Sequence, residues 1–239
     1  MTAGDAEGGR IAPPGDPGTS IADLRAEPVA PAPPAVVADR FPSAVALLGR
    51  YARWLAGAGT VRGLLGPREV PRLWERHILN SVALAELLPL DVRLVDIGTG
   101  AGLPGLAVAC VRPDVQVDLV ESLLRRTDFL AEVVTDLGLT DRVRVIRGRA
   151  EDSAVVDAVG STAFVTARAV APLDRLVRWS FPLLRPGGSL LALKGSTAER
   201  ELTENRTVLR RLRAEVVGVQ ECGQGLVDPV TRVVHLIRR

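Results

Sequence analysis

Lysine is nearly absent from this chain: of its 30 basic residues only Lys194 is not arginine. That bias reflects coding preference more than chemistry, and it makes the one surviving lysine a residue to follow. Cysteine is scarce too, with Cys110 and Cys222 in apolar surroundings and no CxxC or metal-ligand spacing. This excludes a disulfide framework and a thiolate metal site and leaves two reduced core residues. Aromatic residues make up 3%, too few for a platform on which single-stranded bases stack. The net charge of +2 does not announce a nucleic-acid binder, so only local clustering can carry that argument. No apolar run reaches membrane-spanning length, and the N-terminus lacks the charged head and apolar centre of a signal peptide. The expectation is a cytoplasmic protein without membrane contact. Internal repeats are lacking as well.

The 239 residues fall into three stretches. Residues 1–39 are rich in Pro, Ala and Gly without a sustained period, the composition of a disordered tail. Over 40–91, Val45, Leu48, Tyr51 and Leu55, then Trp74, Ile78, Val82 and Ala85, recur at helical spacing and predict two or three helices packing on the domain that follows. Over 92–239, strands are predicted at Arg93–Ile97, Gln116–Glu121, Val143–Arg147, Ala163–Thr166 and Ser189–Lys194, with helices at Pro104–Val111, Leu123–Leu137 and Leu173–Leu184 between them. Such alternation implies a mostly parallel, doubly wound sheet with right-handed crossovers. A polar helix from Thr197 to about Ala214 then precedes two β-prone runs, Val216–Gln220 and Arg232–Ile237, too close for a helix between them and so antiparallel at the sheet's end.

In an open parallel sheet, ligands bind beyond the carboxyl ends of the strands. The first strand ends in Asp96, then Gly98-Thr-Gly100-Ala-Gly102-Leu103-Pro-Gly105, a turn in which glycines let the backbone lie against a ligand. The second ends in Glu121, nineteen residues after Gly102, where a carboxylate accepts hydrogen bonds from both hydroxyls of a ribose. Gly100 to Gly105 also satisfies the dinucleotide pattern GxGxxG. Asp96 argues against that reading, because its carboxylate repels a pyrophosphate but attracts the ammonium of a methionine moiety. S-adenosylmethionine fits better.

Asp96–Gly105, Glu121-Ser122 with Arg125-Arg126 and Phe129-Leu130, Gly148-Arg-Ala-Glu151, Ala167-Arg-Ala169, Leu193-Lys-Gly195 and the upstream Arg76-His-Ile-Leu-Asn-Ser81 together resemble the glucose-inhibited division protein B (GidB, RsmG) family. The resemblance runs from about Phe41 to Arg239 and leaves out the first thirty-nine residues. It implies the class I, Rossmann-like methyltransferase fold with an N-terminal helical extension, and methylation of a guanine N7 in 16S rRNA, in the 530 loop of the 30S subunit. It further implies that Gly98 and Leu103 contact the methionine and adenosine parts of S-adenosylmethionine, that Ala150 and Glu151 flank its adenine, and that Arg168 lies beside cofactor and substrate. Asn80 stands where the family more often has aspartate, and Arg125 where it more often has lysine.

Methyl transfer from a sulfonium is an in-line displacement, so alignment and exclusion of water are the main tasks. Neither cysteine is placed as the nucleophile of a pyrimidine-carbon methylase, and Thr166-Ala-Arg-Ala-Val-Ala-Pro172 replaces the Asn/Asp-Pro-Pro-aromatic motif of exocyclic-amine methylases. Guanine N7 carries no proton and needs no general base, and the N7/O6 edge is the one arginine reads. Arg168 either positions the base or forms a structural ion pair with Asp96 or Glu151. Lys194 either binds an RNA phosphate or lies along the strand end. His77 and Arg76, with Arg125 and Arg126, are candidate RNA contacts or plain surface. The reading is a monomeric, metal-free S-adenosylmethionine-dependent rRNA methyltransferase. A small-molecule methyltransferase and a non-catalytic ribosome-binding factor on the same fold remain alternatives, and a nicotinamide oxidoreductase is a distant one.

Overall fold

A computed structural model describes residues 29–239. Seven strands form one sheet: β1 (Arg93–Ile97), β2 (Gln116–Glu121), β3 (Val143–Arg147), β4 (Thr162–Arg168), β5 (Leu184–Leu193), β6 (Ala214–Cys222) and β7 (Thr231–Arg238). Their order is β3-β2-β1-β4-β5-β7-β6, parallel from β3 to β5 and antiparallel at β7. The chain therefore winds outward both ways from β1, and the reversal of strand order opens a crevice beyond the ends of β1 and β4. β1 and β2 are buried on both faces, with Leu94, Val95, Ile97, Val117, Leu119 and Val120 in the core and the carboxylates Asp96, Asp118 and Glu121 buried among them. The last strand slides between β5 and β6, because Val233, Val234 and Leu236 fill core positions whereas Val216 and Val217 of β6 are exposed.

The helices α4 (Gly105–Val111), α5 (Leu124–Leu137), α6 (Ser153–Val159), α7 (Leu173–Ser180) and α8 (Ala198–Arg211) supply the layers on either face. Ahead of them lie α1 (Ala35–Arg40), α2 (Val45–Trp54) and α3 (Asn80–Val82), joined by irregular helical turns. Pro67 and Pro71 remove amide donors, and that stretch winds tightly over Pro67–Arg72 and widely over Leu73–Leu79 rather than as one α-helix.

These N-terminal pieces share the core of the sheet face that carries α4 and α5. Leu48, Tyr51, Leu55, Leu73 and Ile78 are completely buried there, each contributing about 1.5–3 kcal/mol. Trp54 meets Phe129 of α5 edge-on at 5.9 Å. The expected tail lies outside the described residues over 1–28, while its end differs from expectation. Ala35–Arg40 is helical, with Val37 buried and the Pro31 carbonyl accepting from the Trp74 indole at 2.8 Å. Among the described residues no helix is long and apolar enough to cross a membrane.

Candidate active site

The glycine turn folds over the end of β2, with Gly98 and Thr99 donating to the Val120 carbonyl at 2.8 and 3.2 Å. Gly98 and Gly100 hold φ of +63° and +62°, which side chains with a Cβ adopt only under strain. Their surroundings differ. A Cβ at Gly98 would stand 2.9 Å from both γ-carbons of Val170, whereas at Gly100 the nearest atom is the Gly98 carbonyl at 4.0 Å. Gly98 thus packs β1 against the loop after β4, and Gly100 presents open backbone to a ligand. Gly102 faces the Tyr51 hydroxyl, which donates to the Ala101 carbonyl at 2.9 Å, so α2 braces the turn from behind.

Asp96 is completely buried. Its Oδ2 accepts from the Thr99 hydroxyl at 2.5 Å and the Gly105 amide at 2.8 Å, while Oδ1 has no partner among the described residues. Burial, opposed by those two hydrogen bonds and by Arg168, raises its pKa to about 7. Glu121 is 3% exposed, with Oε1 accepting from the Ser122 and Leu123 amides and Oε2 from Gly100 at 3.1 Å and Arg126 at 3.4 Å. Gly148 donates to the Glu121 carbonyl at 3.0 Å, which brings buried Ala150 and exposed Glu151 to the same rim. Leu103 is buried under the turn.

Beyond the end of β4 lies a cleft of about 1460 Å³ between the 64–80 segment and the loops after β4 and β5. Arg168 enters it from β4. Its Nη1 donates to the His77 carbonyl and the Ser81 hydroxyl, both at 3.1 Å, and its Nη2 lies 2.7 Å from His77 Nδ1. Among the described residues no carboxylate lies within ion-pair distance of it, so the structural pairing with Asp96 or Glu151 is not formed. Burial lowers the guanidinium pKa. The next residue, Ala169, has φ +53°, a strained conformation for a residue with a Cβ. Lys194 Nζ donates to the Ala171 carbonyl at 2.6 Å and pairs with Glu201 at 2.8 Å, which fastens this loop to α8. Arg76 pairs with Glu69 at 3.3 Å, and Arg125 is exposed with no ion-pair partner among the described residues.

The family model for rRNA small subunit methyltransferase G, GidB, matches residues 44–230. The chain belongs to this family. Proteins named ribosomal RNA small subunit methyltransferase G from Streptomyces avermitilis and Mycolicibacterium gilvum are 56% and 52% identical to it, over 84% and 85% of the chain and 82% and 89% of their own lengths. Among solved structures, the mitomycin 7-O-methyltransferase MmcR superposes with TM-score 0.52 at 17% identity, over 82% of this chain and 73% of its own. The Methanococcus jannaschii fibrillarin pre-rRNA processing protein does so with TM-score 0.50 at 16% identity, over 66% and 75%. Both likenesses establish the Rossmann-like methyltransferase fold.

S-adenosylmethionine is the cofactor of this GidB-family chain, and the residues present fit it. The unpartnered Asp96 Oδ1 awaits a donor, the open Gly100 backbone has room, and Glu121 places a carboxylate at the rim. The structure gathers Asp96, Gly98, Gly100, Gly102, Leu103, Glu121, Ala150 and Glu151 along the ends of β1, β2 and β3, and Arg168, Lys194, His77 and Arg76 around the adjoining cleft. Arg125 and Arg126 sit apart from that cleft on α5, Arg126 against Glu121. Sequence reasoning missed Tyr51 as a brace, because helical periodicity assigns it to the core, and missed Glu69 and Ser81, whose roles depend on contacts with Arg168 or its neighbour His77. The two thiols are buried with pKa values pushed up to about 12, so neither is a nucleophile near neutral pH. Among the described residues no cluster of His, Cys, Asp and Glu could hold a metal.

Proposed function

We propose that this chain methylates N7 of a guanine in 16S rRNA, acting in the cytoplasm on the 30S subunit as a monomer. The observation that carries the reading is the junction at Arg168, where the cofactor rim meets a cleft wide enough for a displaced base. When bound, S-adenosylmethionine supplies a methyl carbon made electrophilic by its sulfonium. Glu121 holds the ribose hydroxyls, Asp96 faces the ammonium, Gly98, Gly100 and Leu103 line the turn, and Ala150 and Glu151 bracket the adenine. These residues would hold the methyl carbon in line with a guanine N7 lone pair, to which it would pass as its bond to sulfur breaks. No proton leaves N7, so the chain's task is to orient and to exclude water.

Arg168 has five N–H groups, of which three serve His77 and Ser81. The remaining two are available to the base edge. Arg76, Arg125 and Arg126 add phosphate contacts that hold the RNA in register. Labelled cofactor and 30S subunits lacking the modification test the assignment: the expected product is 7-methylguanosine within 16S RNA. Label on another base, on protein, or on a small molecule alone would overturn it.

A further inference from the structure

Arg168 is held by a chain of hydrogen bonds that starts two elements away. His77 stands between two partners of opposite charge, with Glu69 Oε2 2.8 Å from Nε2 and Arg168 Nη2 2.7 Å from Nδ1. A guanidinium only donates, so Nδ1 must carry the lone pair and Nε2 the proton. The imidazole therefore accepts from Arg168 and donates to Glu69. The other Glu69 oxygen takes Arg76 at 3.3 Å. Three elements meet in this chain: Pro67–Arg72 bears Glu69, Leu73–Leu79 bears His77, and β4 ends in Arg168.

We propose that Glu69 and His77 are positioning residues for Arg168, and that the Glu69–His77–Arg168 chain sets the guanidinium at the junction of cofactor rim and acceptor cleft only while His77 is neutral. The inference rests on the reading of Arg168 as a residue of the methyl-transfer site. A second proton on His77 would place an N–H on Nδ1 against a guanidinium N–H, two donors and two cations at 2.7 Å. Arg168 would have to withdraw, and with it the Ala169 turn. The charged groups around the pair favour the neutral ring. Glu69 pulls toward protonation, but burial outweighs it, and Arg168 and Arg76 add to burial, so the His77 pKa is lowered. Tyr51 and Asp96 also act on the guanidinium, both favouring its charged form.

The test uses the full chain in two arms. The sequence has two histidines, so protein labelled with ¹⁵N-histidine shows two rings, and His235→Gln assigns them. The expected result is His77 with Nε2 protonated and Nδ1 bare at neutral pH, titrating below an ordinary histidine, and moving upward in Arg168→Ala. Protonated Nδ1 at neutral pH, or no movement in Arg168→Ala, overturns the chain.

In the second arm, kcat and KM for unmodified 30S subunits are followed with pH. His77→Asn keeps an acceptor near the position of Nδ1 and retains activity without the acid loss of the native enzyme. His77→Leu lowers kcat roughly ten- to a hundredfold with KM for RNA little changed. Equal activity of the two variants, or an effect confined to KM, overturns the proposal and makes His77 an RNA contact. A product other than 7-methylguanosine would refute the acceptor assignment instead, and the histidine spectra would stand apart from it.

Discussion

Replacing Asp96 with asparagine separates the cost of a buried carboxylate from its use. The native side chain is wholly enclosed, with one oxygen bonded to Thr99 and Gly105 and the other without a partner among the described residues. Its pKa rises from 3.8 to about 7, a displacement worth roughly 4 kcal/mol against the ionised folded form. Because the folded-state value lies above the unfolded one, Asp96 favours folding fully below pH 4. That contribution is lost as pH climbs through 7 and stays lost above it. Asparagine has no such dependence, and its carbonyl can replace Oδ2 toward Thr99 and Gly105.

Stability of Asp96→Asn relative to native should therefore grow between pH 5 and pH 8 by roughly 3 kcal/mol, or about 1–1.5 M in urea midpoint for a slope of 2–3 kcal/mol/M. On the proposed role of Asp96, S-adenosylmethionine should have the opposite effect: an ammonium beside Oδ1 would re-ionise the carboxyl, so native affinity should rise with pH up to about 7 and calorimetry in two buffers should detect a released proton. The asparagine variant binds more weakly and without that pH dependence. A stability gap that stays constant between pH 5 and pH 8, or cofactor affinity equally insensitive to pH in both proteins, would refute the reasoning.

Gly98→Ala forces a Cβ into φ +63° and to 2.9 Å from Val170, costing about 1–2 kcal/mol from the backbone alone. Thermal unfolding should show that loss, and Val170→Ala on the same chain should recover the steric part but not the backbone part. Lys194→Met leaves the Ala171 carbonyl without its donor and the part-exposed Glu201 with only its Thr197 hydrogen bond, and should destabilise by about 1–3 kcal/mol in urea. If instead the salt slope of RNA binding falls while stability holds, Lys194 is a phosphate contact. Arg125→Ala should leave cofactor binding intact and reduce that salt slope by about one, and an unchanged slope would remove Arg125 from the RNA surface.

The parallel sheet was readable where β-prone runs are short and sharply bounded. β1, β2 and β3 begin and end where the apolar runs do, and the strand-end residues Asp96 and Glu121 come directly from them. β5 starts five residues before the expected Ser189, because Leu184 already pairs with Thr162 and the exposed Arg185-Pro-Gly187 segment bulges out of register before Ser189 meets Phe164. α6 escaped notice, since only Val155 and Val159 are buried on its seven residues, too little to register as a period. The closing pair was legible as antiparallel but not as to which strand lies inside. The contrast between Val233-Val234 and the Glu215 to Glu221 stretch carries that information. Lys194 stood out through composition, yet its ammonium is engaged by Glu201 and Ala171, partners that nothing local in the sequence pairs with it.

The two halves of the site differ in how they are encoded, and this decides how each can fail. The cofactor rim is built from strand ends joined by short crossovers, and its key bonds, such as Gly100 to Glu121 across twenty-one positions, form with the parallel sheet itself. The cleft at Arg168, the proposed acceptor side, exists only when the 64–81 segment docks, because Arg168 meets His77 across ninety-one positions of chain. Ordering such a contact costs loop-closure entropy that the contact alone cannot offset. The burial of Leu48, Tyr51, Leu55, Leu73 and Ile78 against α4 and α5 supplies what is missing, so the apolar stripe of the N-terminal helices is a condition for the acceptor cleft. Substitutions in that stripe other than at Tyr51, whose hydroxyl braces the glycine turn, should therefore weaken methyl transfer before they weaken cofactor binding, whereas substitutions under the glycine turn should do the reverse.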